Sequence, residues 1–152
     1  MVIRQLEECS AKGGNLLLNI NPKADGSVPR PVVKVFTVVG KWMEVNGSAI
    51  YGSEPMYAVH MPEGWMCSRS GADLNICAPS LGITMQTTVQ VSVPVAGLQI
   101  PAEGVQVEVL GQADTVVPAT VNGDMLELNI PAKAWAEAVE FMPVIRIKGV
   151  AR

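Results

Sequence analysis

The chain is poor in charge, in aromatic rings and in histidine. Only 16% of its 152 residues are Asp, Glu, Lys or Arg, against about 25% in ordinary usage; 5% are aromatic, and His60 is the single histidine. The 11 basic and 14 acidic side chains leave a net charge of −3. That balance excludes the basic footprint with which proteins neutralise phosphate backbones, so no nucleic acid is expected as a partner. Cysteine is scarce as well: Cys9, Cys67 and Cys77 form no Cys-x-x-Cys pair, and none stands near a histidine at metal-ligand spacing. Long apolar runs are also missing. Mean hydropathy is +0.29, yet no window approaches the about 18 consecutive apolar residues of a spanning helix, so no membrane span is expected. The opening Met1–Glu8 carries acidic residues and no long apolar stretch, unlike a signal peptide, and leaves the compartment unknown. What is abundant is apolar side chain, 49% of the total. A chain of this length can bury about 68–70% of its unfolded surface, which excludes disorder and permits one substantial core.

The first third reads as helix, buried strand, helix. Val2, Ile3, Leu6 and Cys9 recur at helical spacing and Gly13-Gly14 stops the run. Asn15–Ile20 is a short continuous apolar stretch, the pattern of a strand covered on both faces in a parallel sheet. Turn chemistry follows from Asn21 to Pro29, with Asp25-Gly26 as the turn and Ser27 as an N-cap. Val32, Val35, Phe36, Val39, Trp42 and Met43 then mark a second helix closed by Asn46-Gly47. From about residue 50 the period changes to two. Expected strands are Met56–His60, Ala72–Cys77, Thr88–Val93, Val105–Leu110, Met125–Ile130 and Val144–Lys148, with Asn122-Gly123 as a hairpin turn and Ala132–Ala138 as a helical or irregular crossover. Short alternating strands at this spacing predict an antiparallel sandwich.

Gly14-Asn-Leu-Leu-Leu-Asn-Ile-Asn-Pro-Lys-Ala-Asp-Gly26, then Gly40-Lys-Trp42 and Asn46-Gly-Ser-Ala-Ile-Tyr-Gly52, resemble the closing barrel motifs of α-L-fucosidases of glycoside hydrolase family twenty-nine. Val105–Gly111, Leu126–Pro131 and Val144–Gly149 are similar, more loosely, to strands of that family's C-terminal β-domain. The resemblance implies an α+β fragment: residues 1–53 as the last strand and helices of a (β/α)8-like catalytic barrel, and residues 54–152 as an antiparallel β-sandwich. Leu16–Ile20 would be the final barrel strand and Pro29–Val45 the final barrel helix. The implied activity is exo-α-L-fucosidase, releasing terminal α-L-fucose from glycans with retention, with no metal or organic cofactor. The family's Asp nucleophile, Glu acid/base and histidine-rich fucose pocket stand upstream of these motifs, so no residue of this chain receives a catalytic, cofactor, metal or substrate role. The chain alone is expected to be inactive and to meet fucosylated glycans only through the barrel that precedes it. The family is lysosomal, secreted or periplasmic. Departures are Asn21, where a Gly commonly precedes the Pro, the Val-rich final helix, and Met61–Met85, which follows the family poorly.

Three carboxylates invite a hydrolase reading, but Asp25, Glu54 and Glu63 all sit in turn chemistry, where solvated acids are the norm. His60 would be the one general base, and without a Gly-x-Ser-x-Gly elbow it reads as a strand histidine. Trp65 is the best platform for a sugar ring and so carries the alternative, a stand-alone carbohydrate-binding or interaction sandwich; flanked by Met61 and Met66, it equally suits the core. Trp42 and Trp135 read as structural. Cys67 and Cys77 could pair across strands in a secreted protein, or all three thiols stay free and semi-buried. The run 15–20 has two strand edges to satisfy, which predicts self-association wherever nothing covers it.

Overall fold

The computed structural model describes residues 2–57, 59–79, 88–101, 104–112, 114–134 and 142–150. The first helix, α1 (Val2–Ala11), ends as its two glycines dictate. Gly13 takes φ +68°, its N–H donates to the Ser10 carbonyl, and the Gly14 N–H reaches back to Cys9 at 2.7 Å, the paired bonds of a Schellman cap. A β-carbon on Gly13 would lie 2.9 Å from the Tyr57 hydroxyl, the end of an exposed side chain that can give way, so it is the positive φ that calls for glycine there.

The second helix, α2 (Arg30–Asn46), starts without a side-chain cap. Ser27, expected as the N-cap, instead donates its hydroxyl and its N–H to Asp25 Oδ1 at 2.7 and 2.9 Å. Pro29 takes the cap position, and Pro31 fits the first turn because its missing N–H is one that would have no helical partner. The apolar stripe of α2 is covered over its second half only. Trp42 is buried and Val39 and Met43 are partly so, whereas Val35 and Phe36 are exposed. A short 3-10 turn, Gly47–Ala49, closes the helix.

Among the described residues eight strands follow: β1 (Glu54–Pro55), β2 (Met66–Ser70), β3 (Asp73–Cys77), β4 (Thr88–Pro94), β5 (Val107–Val109), β6 (Ala119–Asn122), β7 (Met125–Pro131) and β8 (Val144–Ile147). They form a five-stranded sheet in the order β1-β2-β3-β8-β5 and a three-stranded sheet in the order β4-β7-β6, antiparallel at every pairing. Alternate residues of each strand take opposite faces, and that parity separates two cores. Leu74, Ile76, Val109, Ile145 and Ile147 meet Val91, Val93, Leu126, Leu128 and Ile130 between the sheets. Cys77 and Val144, of the opposite parity, meet Ile3, Trp42 and Ala49 on the outer face. The antiparallel sandwich is therefore present, with the helices as a third layer over its larger sheet.

Several expected elements change. The described residues of Met56–His60 lie in no strand; Met56 and Val59 bury their side chains, and Ala58 lies outside the described residues. Residues 132–134 are helical, and Trp135 and Ala138 lie outside the described residues. The run Leu16–Ile20, expected as a doubly covered strand, forms no ladder and is exposed from Leu17 on, because among the described residues no strand lies beside it.

Candidate functional site

The segment that joins α1 to α2 carries the residues that the sequence pattern marks as a barrel end. It has no regular secondary structure from Gly14 to Lys23. Leu17 is 84% exposed, and Leu18 and Ile20 are exposed too, an unusual state for three large apolar residues within four positions. Asn19 and Asn21 are exposed on the same segment. Asp25 lies at the turn beyond it, where the Ser27 hydroxyl and N–H hold its carboxyl below the ordinary range.

The residues weighed as catalysts are not brought together. Glu54 is exposed on β1, Glu63 is exposed in the turn before β2, and His60 is exposed in the loop between them. Open clefts indent the surface, two of them lined by described residues. One, of about 470 Å³, is lined by Cys9, Ser10, Asn15, Leu16, Ser53 and Glu54 among others; the second, of about 630 Å³, is lined by Gln112, Asp114, Thr115, Val116 and Lys133 among others. Among the described lining residues each cleft holds a single carboxylate, and retaining glycoside hydrolysis needs two, about 5–5.5 Å apart. Trp65 is half-buried against the core between the sheets. That placement gives it a packing role and weakens the sugar-platform reading. Among the described residues no three His, Cys, Asp or Glu side chains gather as a metal site, and no helix is long and apolar enough to cross a membrane.

The cysteines are free. Cys77 pairs in register with Met66, and Cys67 with Ile76, so the two thiols sit on opposite faces of the sheet and cannot bridge. Burial pushes Cys67 up to about 12 and Cys77 well above its ordinary value.

What the structure builds most firmly is the seat between the helices and the outer face of the five-stranded sheet. Asn75, fully buried on β3, donates to Ser70 Oγ at 2.9 Å and accepts from Arg146 Nε at 2.9 Å. Arg146 also donates to Ser48 Oγ at 2.9 Å, and Ser70 Oγ donates to the Ser48 carbonyl at 3.0 Å. Ser68 Oγ donates to the Ala49 carbonyl at 3.3 Å. Thus the sheet supplies partners for the Ser48 and Ala49 carbonyls of the 3-10 turn that follows α2. At the edge of the same seat the Ser10 and Ser53 hydroxyls meet at 2.5 Å. Sequence reading missed this network because its members are single polar residues on strands with no motif. It also missed Glu7, although Glu7 stands one turn from Ile3 on the apolar stripe of α1, where a carboxylate is out of place.

A family model described as alpha-L-fucosidase matches residues 1–48. The tissue alpha-L-fucosidase of Rattus norvegicus is 43% identical over 54 residues, 36% of this chain and 12% of that protein. The alpha-L-fucosidase of Branchiostoma floridae is 28% identical over 155 residues, 98% of this chain and 32% of that protein. Among solved structures, alpha-L-fucosidase isoenzyme 1 from Paenibacillus thiaminolyticus superposes with a TM-score of 0.74 at 27% identity, covering 97% of this chain and 33% of that one. The chain thus spans a third or less of the length of these relatives.

Proposed function

We propose that this chain, which is related to the α-L-fucosidases of glycoside hydrolase family twenty-nine and matches their C-terminal portion, completes an exo-acting α-L-fucosidase. In this reading residues 15–20 supply the last strand of the catalytic barrel, α2 supplies its last helix, and the sandwich is the platform on which both rest. The catalytic pair stands on the preceding part of the barrel. There one carboxylate attacks the anomeric carbon while a carboxylic acid protonates the departing glycosidic oxygen, and water then releases fucose from the covalent intermediate with net retention. Terminal α-L-fucose on glycans is the substrate.

The observation that carries this is the bare apolar run: Leu17, Leu18 and Ile20 are exposed on a backbone without ladder partners, followed by a helix whose Val33, Val35 and Phe36 are also exposed. Unpaired strand edges and apolar surface both favour a covering layer, and the missing neighbours of a closed barrel would supply one. Left uncovered, the same run pairs copies of the chain with each other.

The test uses 4-nitrophenyl α-L-fucopyranoside. The purified 152-residue protein is expected to release no nitrophenol. Mixed with a family-twenty-nine enzyme from which the corresponding C-terminal portion has been removed, it is expected to form a complex and restore turnover, and Leu17→Asp is expected to abolish both effects. Turnover by the chain alone, or no complex with the truncated enzyme, overturns the reading.

A further inference from the structure

The seat of α1 encloses one group that ought not to be charged there. Glu7 is 1% exposed, and neither of its carboxyl oxygens has a hydrogen-bond partner. The apolar cluster on this face is Ile3, Trp42, Ala49, Cys77 and Val144. The Cys77 thiol lies near enough to bear on the Glu7 proton, though outside hydrogen-bonding geometry. We propose that Glu7 is a proton-operated latch: as a neutral acid it lets α1 seat against the five-stranded sheet, and its ionisation drives the helix off that seat.

An ionised carboxylate without donors is among the least tolerated groups in a protein interior, so the folded chain keeps the proton. Burial pushes Glu7 up to about 8 and outweighs Cys77 and then Arg4, which pull the other way. The surrounding charges do not supply a partner. Arg4, three residues back on α1, is exposed, and Glu8 is taken by its ion pair with Lys12. From β3 comes Cys77, itself held protonated by burial and by Glu7. On β2, Cys67 occupies the opposite face and Arg69 is bonded to the Gly71 and Val150 carbonyls. Glu54 on β1 is exposed, and the residues that α2 and the 3-10 turn bring to the cluster, Trp42 and Ala49, are neutral.

The sign follows from linkage. Glu7 ionises at its ordinary 4.5 when released and near 8 when seated, so the released state binds fewer protons between those values. The seated helix is fully favoured below pH 4.5, loses about a factor of ten per pH unit up to 8, and is weakest above that. The latch belongs to the chain itself and stands apart from the fucosidase reading.

Two measurements test it. Amide hydrogen exchange over Val2–Ala11, corrected for the intrinsic pH dependence, is expected to show the opening constant of α1 rising about tenfold per pH unit between about 5 and 8. Glu7→Gln and Glu7→Leu are expected to flatten that slope. A slope retained in Glu7→Leu overturns the latch. Should the variants not fold, carbon-13 titration of the Glu7 carboxyl in the wild-type chain decides: a midpoint near 8 supports the latch, and one near 4.5 overturns it.

Discussion

The indole Nε1–H of Trp42 donates to the main-chain oxygen of Met142 across 3.0 Å, joining residues one hundred positions apart. Trp42 lies on α2 and Met142 leads into β8, so a single bond ties the helix layer to a central strand of the larger sheet. Met142 takes φ +69°, an uncommon conformation for a residue with a side chain, in presenting that oxygen. Because the indole is 3% exposed and fills the outer core, Trp42→Phe is expected to cost about 1 kcal/mol for the lost bond and Trp42→Ala about 3–5 kcal/mol. Urea unfolding checks both. No loss in Trp42→Phe beside the full loss in Trp42→Ala would show that packing matters and the bond does not.

The Asn75 network gives a sharper case. Removing the Asn75 amide leaves the half-buried Arg146 guanidinium and the Ser70 hydroxyl each short of a partner. Asn75→Ala is expected to destabilise by about 2–3 kcal/mol, since a buried polar group left unpaired costs more than a bond contributes. Combined with Arg146→Met, the loss is expected to be less than the sum of the two single changes. Additive losses in the double-mutant cycle would show that the two side chains act independently.

Thiol chemistry should divide the cysteines. Cys67 is pushed up to about 12 by burial and Cys77 well above its ordinary value by burial and by Glu7, whereas Cys9 is half-buried beside an open cleft. At pH 7 a disulfide reagent such as Ellman's is expected to modify Cys9 rapidly and the other two only after unfolding, because thiolate and access are both required. Peptide mapping of the modified protein identifies the site, and rapid modification of Cys77 would contradict the closed seat.

Self-association through residues 15–20 is expected of the isolated chain, since Leu17 and its neighbours offer an exposed apolar segment without ladder partners. Sedimentation should show species heavier than 16.1 kDa, and the double change Leu17→Lys with Ile20→Lys should return the chain to a monomer. A wild-type monomer at micromolar concentration would remove this expectation.

Much of the fold was legible because local pattern and tertiary role agree. β4 and β7 alternate in sequence and bury alternate residues, and Gly13-Gly14 ended α1 where glycines end helices. β2, Met-Cys-Ser-Arg-Ser, was missed because its polar Ser68 and Ser70 face carbonyls of the 3-10 turn after α2, a need that no local pattern announces. β6 was missed because it is a short edge strand with exposed residues. The run 15–20 shows the opposite failure: its composition describes surroundings that the described residues do not provide. The candidate site was legible only as family motif, since the junction that positions it is made of scattered polar side chains.

The larger sheet is buried on both faces and the smaller one on its inner face, and that difference sets how freely their strands can vary. In β7, of the smaller sheet, inward Leu126, Leu128 and Ile130 alternate with more open positions, so tolerance to substitution should rise and fall with every second residue. β3 has no such relief: Leu74 and Ile76 close one core, while Asn75 and Cys77 close the other side. Over those four residues drift in sequence is confined to nearly isosteric exchanges, leaving β3 the part of the chain with least room to evolve.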